Sequence, residues 1–281
     1  MSHPQENPLP TIWRVPDELW HTIEALLLEL DPPARTGRPR IDQRAALDGI
    51  IYRLRTGCQW NQLPKAFGDD ASVHRTMQRW VDRQVFPAIW AHLVKACDEL
   101  GGVDYAWQAA DGAMGKARFG GDATGPNPTD RGKKGVKRSI LVEADGGPLS
   151  VVIDGANRHD TKLLAATLEA MVVERPEPSR AQPQHLCLDK GYDNPTGHET
   201  VARFGYIGHI RRIGEEKLDE NQEKTYPARR WVVERTLSWL SKCRGLLVRY
   251  EKKAQNFLAL LQLACGLLWY RRLYRLKSVL R

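Results

Sequence analysis

The sequence predicts an α/β chain: a mixed sheet flanked by helices over residues 101–281, preceded by an all-helical domain at 42–100 and, at 1–41, by an N-terminal helix with a basic linker. Three observations carry this. Helical periodicity runs from Asp42 to Leu100, broken only at Gly57, Pro64 and Gly68-Asp69-Asp70. After Gly101-Gly102 the pattern changes to short strand-like runs. One of those runs, Leu186-Cys187-Leu188, stops abruptly on Asp189-Lys190-Gly191, as a buried core strand does.

With 281 residues, 42% of them hydrophobic, the chain can bury a sizeable core. Its net charge of +8 points to a polyanionic partner, since a cationic surplus binds phosphate backbones by releasing counterions; a membrane surface is the other candidate. The five cysteines are scattered and never form a Cys-x-x-Cys pair, which argues for a reducing compartment and against zinc. Ser2–Pro10 is polar and proline-rich, unlike a secretory leader, and the apolar run Phe257–Tyr270 is short for a bilayer. A soluble cytoplasmic protein is expected.

Taking the elements in order, Pro16-Asp17-Glu18 opens a first helix, with Trp20, Ile23, Leu27 and Leu30 at helical spacing. Asp31-Pro32-Pro33 ends it. The linker that follows, with Arg38 and Arg40 around Pro39, suits an A·T-rich minor groove, and equally suits a solvated proline linker. Ala46, Leu47, Ile50, Ile51 and Leu54 line the next helix, and Trp60, Leu63 and Phe67 mark a short second one. After Asp69-Asp70 comes a helix whose Val73, Met77, Trp80 and Val81 share one face, leaving Ser72, Arg75, Gln78 and Arg79 outward. That is the pattern of a helix-turn-helix, whose second helix reaches base edges while its back packs on the first. A plain helical subdomain with a solvated face fits the same residues.

Strands are predicted at Tyr105–Asp111, Ser139–Glu143 and Leu149–Asp154, the last two joined by the hairpin turn Asp145-Gly146-Gly147. A helix over Thr161–Val173 follows, capped by Asp160, then strand 185–189, a helix at Thr196–Phe204 and a strand at Tyr206–Ile213. The order β-β-β-α-β-α-β-α is that of a ribonuclease-H-like fold. Residues 113–138 read as a long structureless loop whose basic side chains, among them Lys133, Lys134 and Lys137, could close over a phosphate backbone or simply be solvated. Asp111 and Asp189, each at a strand end, suggest one metal site, although strand-end aspartates also occur without function. The helix around Trp231–Leu240 carries Val233, Leu237 and Leu240 as its core stripe, with Glu234 sharing a face with Arg230 and Ser238.

Asp111-Gly112, Asp189-Lys190-Gly191-Tyr192-Asp193 and Arg230-Trp231-Val232-Val233-Glu234-Arg235 resemble, in order and spacing, the catalytic blocks of DDE transposases from bacterial insertion sequences, in the group named for insertion sequence five. Similar to that group, too, are Thr124–Lys133 and Gly155–Asp160, so that the resemblance spans about Trp13 to Leu273.

The resemblance implies that Asp111, Asp189 and Glu234 bind metal, two Mg²⁺ ions with Mn²⁺ able to substitute. It implies an enzyme that binds the terminal inverted repeats of its element, cleaves a phosphodiester and joins the freed end to target DNA. A homodimer on DNA and a place at the nucleoid follow from the same reading. Hard divalent ions prefer such oxygen ligands and can flank a scissile phosphate. Relatives often carry Tyr, Arg, Glu and Lys along the last helix. Here Arg230 and Glu234 fit, but Pro227 and Ser241 stand at the outer positions, which leaves Tyr226 and Lys242 as neighbouring stand-ins. A repressor that has lost catalysis and a structure-selective nuclease of the same fold are the competing readings.

Overall fold

The computed structural model describes residues 11–33, 36–37, 39–210 and 230–279. Four helices come first: α1 Asp17–Leu30, α2 Gln43–Thr56, α3 Asp70–Asp82 and α4 Val85–Asp98, with two 3₁₀ turns between α2 and α3. Asp42 caps α2 by accepting the Ala45 N–H, Gly57 ends it in the left-handed conformation, and Asp69 caps α3 through the Ser72 N–H. Val73, Met77, Trp80 and Val81 are buried as expected. On α1 the buried stripe is Leu19, Ile23 and Leu27, with Trp20 and Leu30 at its margin.

The remainder is a mixed sheet carrying helices: β1 Trp107–Ala117, β2 Gly125–Pro126, β3 Lys134–Glu143, β4 Pro148–Gly155, α5 Asp160–Glu169, β5 His185–Leu188, α6 Pro195–Arg203 and β6 Ile207–Ile210. Then come α7 Trp231–Ser241, α8 Arg244–Leu247, β7 Val248–Arg249 and the long α9 Ala254–Val279. The strands lie side by side as β4, β3, β1, β5, β6, with β3 antiparallel to both its neighbours and β1, β5 and β6 mutually parallel. This is the ribonuclease-H-like order that the sequence predicts.

Two elements differ from expectation. Residues 113–138 are not a structureless loop: β1 runs on to Ala117, β3 starts at Lys134, and the two stay paired out to Lys116 and Gly135. Glycines hid this arm by lowering strand propensity, yet contacts demand them. A Cβ on Gly125 would sit 1.8 Å from Asn157 Oδ1, and one on Gly135 would sit 2.9 Å from the Cβ atoms of Ala156 and Asn127. Consequently Asp111 lies in mid-strand, and only Asp189 lies at a strand end. The apolar run Phe257–Tyr270 lies within a helix that continues to Val279, with Arg272 turned inward onto the fully buried carboxylate of Glu143 at 2.7 Å.

The core is continuous from the helical part into the sheet. Helix α9 packs along α4, and the indole N–H groups of Trp90 and Trp269 both donate to the Pro148 carbonyl, at 3.1 and 2.6 Å. Among the described residues no helix is long and apolar enough to cross a membrane.

Candidate active site

Strand register brings the first two acids together. The last parallel pair between β1 and β5 is Ala109 with Cys187. Two residues further along each strand come Asp111 and Asp189, on the same face, just where β5 ends and leaves β1 to continue. Asp189 caps the 3₁₀ turn Lys190–Tyr192, its Oδ1 accepting the Gly191 N–H at 2.8 Å. That turn is tied to α5, since the Thr161 hydroxyl donates to the Gly191 carbonyl and the Asn194 amide bonds both. Burial, together with the Asp189 charge, pushes the Asp111 carboxyl up to about 6, although the Gly112 N–H and Arg230 pull the other way.

The third acid arrives on α7, which packs against β1 and β3 through the buried Val232, Val233, Thr236 and Leu237. Glu234 is half exposed, with its Oε1 2.5 Å from Arg230 Nη1, and the same nitrogen lies 3.9 Å from Asp111 Oδ2. A guanidinium thus stands between the acids. Among the described residues no three acidic, histidine or cysteine side chains converge tightly enough to enclose an ion. The donor chemistry nevertheless suits a hard divalent cation, because the oxygens gathered here are carboxylate.

Two residues beside this cluster have surroundings other than the sequence predicts. Lys137, expected on an exposed loop, is buried on β3, its ammonium 2.7 Å from Asp160 Oδ2. Asp160 is not the cap of α5: that is His159, whose Nδ1 accepts the Thr161 N–H, leaving Asp160 free to turn toward β1. Its Oδ1 fills the space that a Cβ on Gly112 would need, at 2.1 Å, and has no hydrogen-bond partner among the described residues. The Tyr192 hydroxyl is likewise buried without a partner among the described residues, and burial with the charges of Asp160, Asp111 and Asp189 raises its pKa. The Asp-Gly step at 111–112 was the one available signal.

The expected DNA contacts fall in three groups. Arg75 is exposed on α3, Ser72 and Gln78 are half-buried beside it, and Lys133 and Lys134 are exposed where β3 begins. Arg40 and Arg79 are engaged inside the chain, both paired with the buried Asp31. Arg230 faces the acids, Lys242 is exposed just past α7, and Arg38 and Tyr226 lie outside the described residues.

The family description "Transposase DDE domain" matches residues 91–269, well over half the chain. The chain belongs to this family. It is a DDE transposase, an enzyme acting on DNA. A second description, "Putative transposase of IS4/5 family", matches residues 15–90 of the transposase. A Burkholderia cepacia protein, "Putative transposase for insertion sequence element IS402", is 34% identical over 56% of the chain and 74% of its own length. The "Insertion element IS402 uncharacterized 16.2 kDa protein" of the same organism is 30% identical over 41% of the chain and 80% of its own length. A solved chain titled "Crystal structure of the Mos1 mariner paired end complex with Mn" aligns over 92% of this chain and 86% of that one, at 9% identity and a TM-score of 0.27.

Proposed function

We propose that this transposase mobilises an insertion sequence: its N-terminal helices bind the terminal inverted repeats, and Asp111, Asp189 and Glu234 form the site that cuts the ends and joins them to target DNA. The observation that carries this reading is the strand register that sets Asp111 opposite Asp189, with Glu234 joined to Asp111 through one arginine nitrogen. The three acids would hold two Mg²⁺ or Mn²⁺ ions, which supply activation of the attacking oxygen and stabilisation of the leaving one. Asp111 and Asp189 orient that chemistry because each is fixed by a backbone N–H, from Gly112 and Gly191. Arg230 exchanges Glu234 for a non-bridging phosphate oxygen when DNA enters, leaving the carboxylate free. Lys133 and Lys134 hold the backbone beside the site. The enzyme works as a homodimer on paired ends, in the cytoplasm at the nucleoid.

The test incubates purified protein with DNA carrying the element's ends, with Mg²⁺ or with chelator, beside Asp189→Asn. Nicks at the ends that require metal and vanish in the variant are expected. Metal-independent cutting, or full activity in the variant, overturns the assignment.

A further inference from the structure

Asp31, the residue after α1, is fully buried and gathers three arginines. Its Oδ1 lies 2.7 Å from Arg40 Nη1 and 2.8 Å from Arg83 Nη1; its Oδ2 lies 3.0 Å from Arg79 Nε and accepts the Trp80 indole N–H at 2.8 Å. Burial opposes ionisation of this carboxyl, but the Trp80 and Arg79 hydrogen bonds with the arginine charges outweigh it and hold the pKa below the ordinary value. The arginine side chains keep 26%, 25% and 38% of their surface, for Arg40, Arg79 and Arg83.

The charges do not balance. One carboxylate needs one guanidinium; here three surround it and leave a surplus of two positive charges at the surface. For stability alone the second and third arginines are a cost, because like charges are crowded and every side chain is ordered. An anion outside the cluster removes that cost. Arg40 and Arg83 use only Nη1 for hydrogen bonds among the described residues, and each guanidinium has five N–H donors. The fixed planes suit the paired oxygens of a phosphodiester, which arginine grips with two parallel bonds.

Position names the partner. Arg75, Arg79 and Arg83 recur every four residues, so they form one ladder down α3 and off its C-terminal end, with Arg40 joining from the linker. We infer that Asp31, Arg40, Arg79 and Arg83 form a clamp for the backbone phosphate of duplex DNA, with Asp31 as the positioning residue, which fixes the register of α3 on the duplex. The clamp rests on the reading that the N-terminal helices bind DNA. It moves Arg79 from base reading to backbone contact, leaving Ser72, Arg75 and Gln78 at the base edges, and it adds Arg83.

The full-length protein is titrated, by fluorescence anisotropy over a salt series, into a duplex carrying the element's end and a shuffled duplex of equal length. Arg83→Gln and Arg40→Gln should each lower the salt slope by about one on both duplexes, with the ratio of the two affinities unchanged. Arg83→Lys keeps the charge and should keep the slope. Arg203→Gln, the same charge loss on α6, should leave it unchanged. Melting curves identify any variant whose fold is lost, and the other glutamine variant of the pair Arg83→Gln and Arg40→Gln then decides. Unchanged slopes in the first two variants, loss confined to the end duplex, or an equal drop in Arg203→Gln overturns the clamp. If the wild type fails to prefer the end duplex, the end-binding reading fails instead, while a slope change would still support a clamp.

Discussion

A single nitrogen of Arg230 spans the acidic cluster: Nη1 lies 2.5 Å from Glu234 Oε1 and 3.9 Å from Asp111 Oδ2. If these acids hold metal as proposed, the guanidinium supplies the positive charge that a divalent ion would bring, and arginine and ion compete for the same oxygens. Arg230→Gln should therefore bind Mn²⁺ more tightly without DNA, by about tenfold if one hydrogen-bonded charge of about 1.4 kcal/mol is removed. Cleavage should fall, since the proposed phosphate contact goes with it. Calorimetric titration with Mn²⁺ checks the first point; weaker binding would mean that Arg230 supports the ligand geometry rather than opposing it.

Asp111 links stability to pH. Burial and the Asp189 charge raise its pKa to about 6, so the native chain holds this proton more tightly than the unfolded chain does. For such a group the native state is favoured most at pH values below the unfolded pKa, and the advantage is lost as pH rises to about 6. Ionised Asp111 then costs about 3 kcal/mol in the metal-free protein. Asp111→Asn should raise the melting temperature at pH 7 to 8 and lose that gain near pH 4, while abolishing cleavage. An equal gain at both pH values would remove the electrostatic explanation.

Gly112 has no room for a side chain, because a Cβ there would lie 2.1 Å from Asp160 Oδ1. Gly112→Ala should destabilise by roughly 1–3 kcal/mol through overpacking and loosen the Lys137–Asp160 pair. Asp160→Ala in the same chain makes space, so the double variant should lose less than the two single losses added together, by roughly 0.5–3 kcal/mol. Denaturant midpoints of the four proteins measure this. Simple additivity would show that the glycine is needed for backbone reasons alone.

The sheet order and the strand end at Asp189 were legible because each rests on local pattern: a short apolar run ending on Asp189, and a hairpin turn at Asp145-Gly146-Gly147. The extension of β1 and β3 was not, since Gly125 and Gly135 stand where a Cβ would collide with Asn157, Ala156 and Asn127, and composition reads such glycines as loop. Burial of Lys137 was equally hidden, because its partner Asp160 lies on α5 and local sequence reports nothing of so distant a contact. Arg83 did carry a signal, the four-residue spacing from Arg75 through Arg79. Its acceptor, Asp31, looked only like a helix stop.

The buried Arg53–Glu251 pair gives a last prediction, on how the helical part is joined to the catalytic part. Arg53 near the end of α2 and Glu251 after β7 are each only 5% exposed in their side chains and lie 2.5 Å apart. Arg53 also stacks over Trp60, but its Nε and Nη1 have no hydrogen-bond partner among the described residues. A desolvated pair so incompletely satisfied adds little net stability, yet removing one member strands the other charge in the core. Glu251→Gln should therefore cost about 3–5 kcal/mol, and Arg53→Met alone a similar amount. The combined Arg53→Met, Glu251→Met chain should recover most of the loss, since neither charge is then buried. Urea midpoints of the single and double variants decide it: a double variant as unstable as either single variant would show that the pair contributes strongly to holding α2 against the segment before α9.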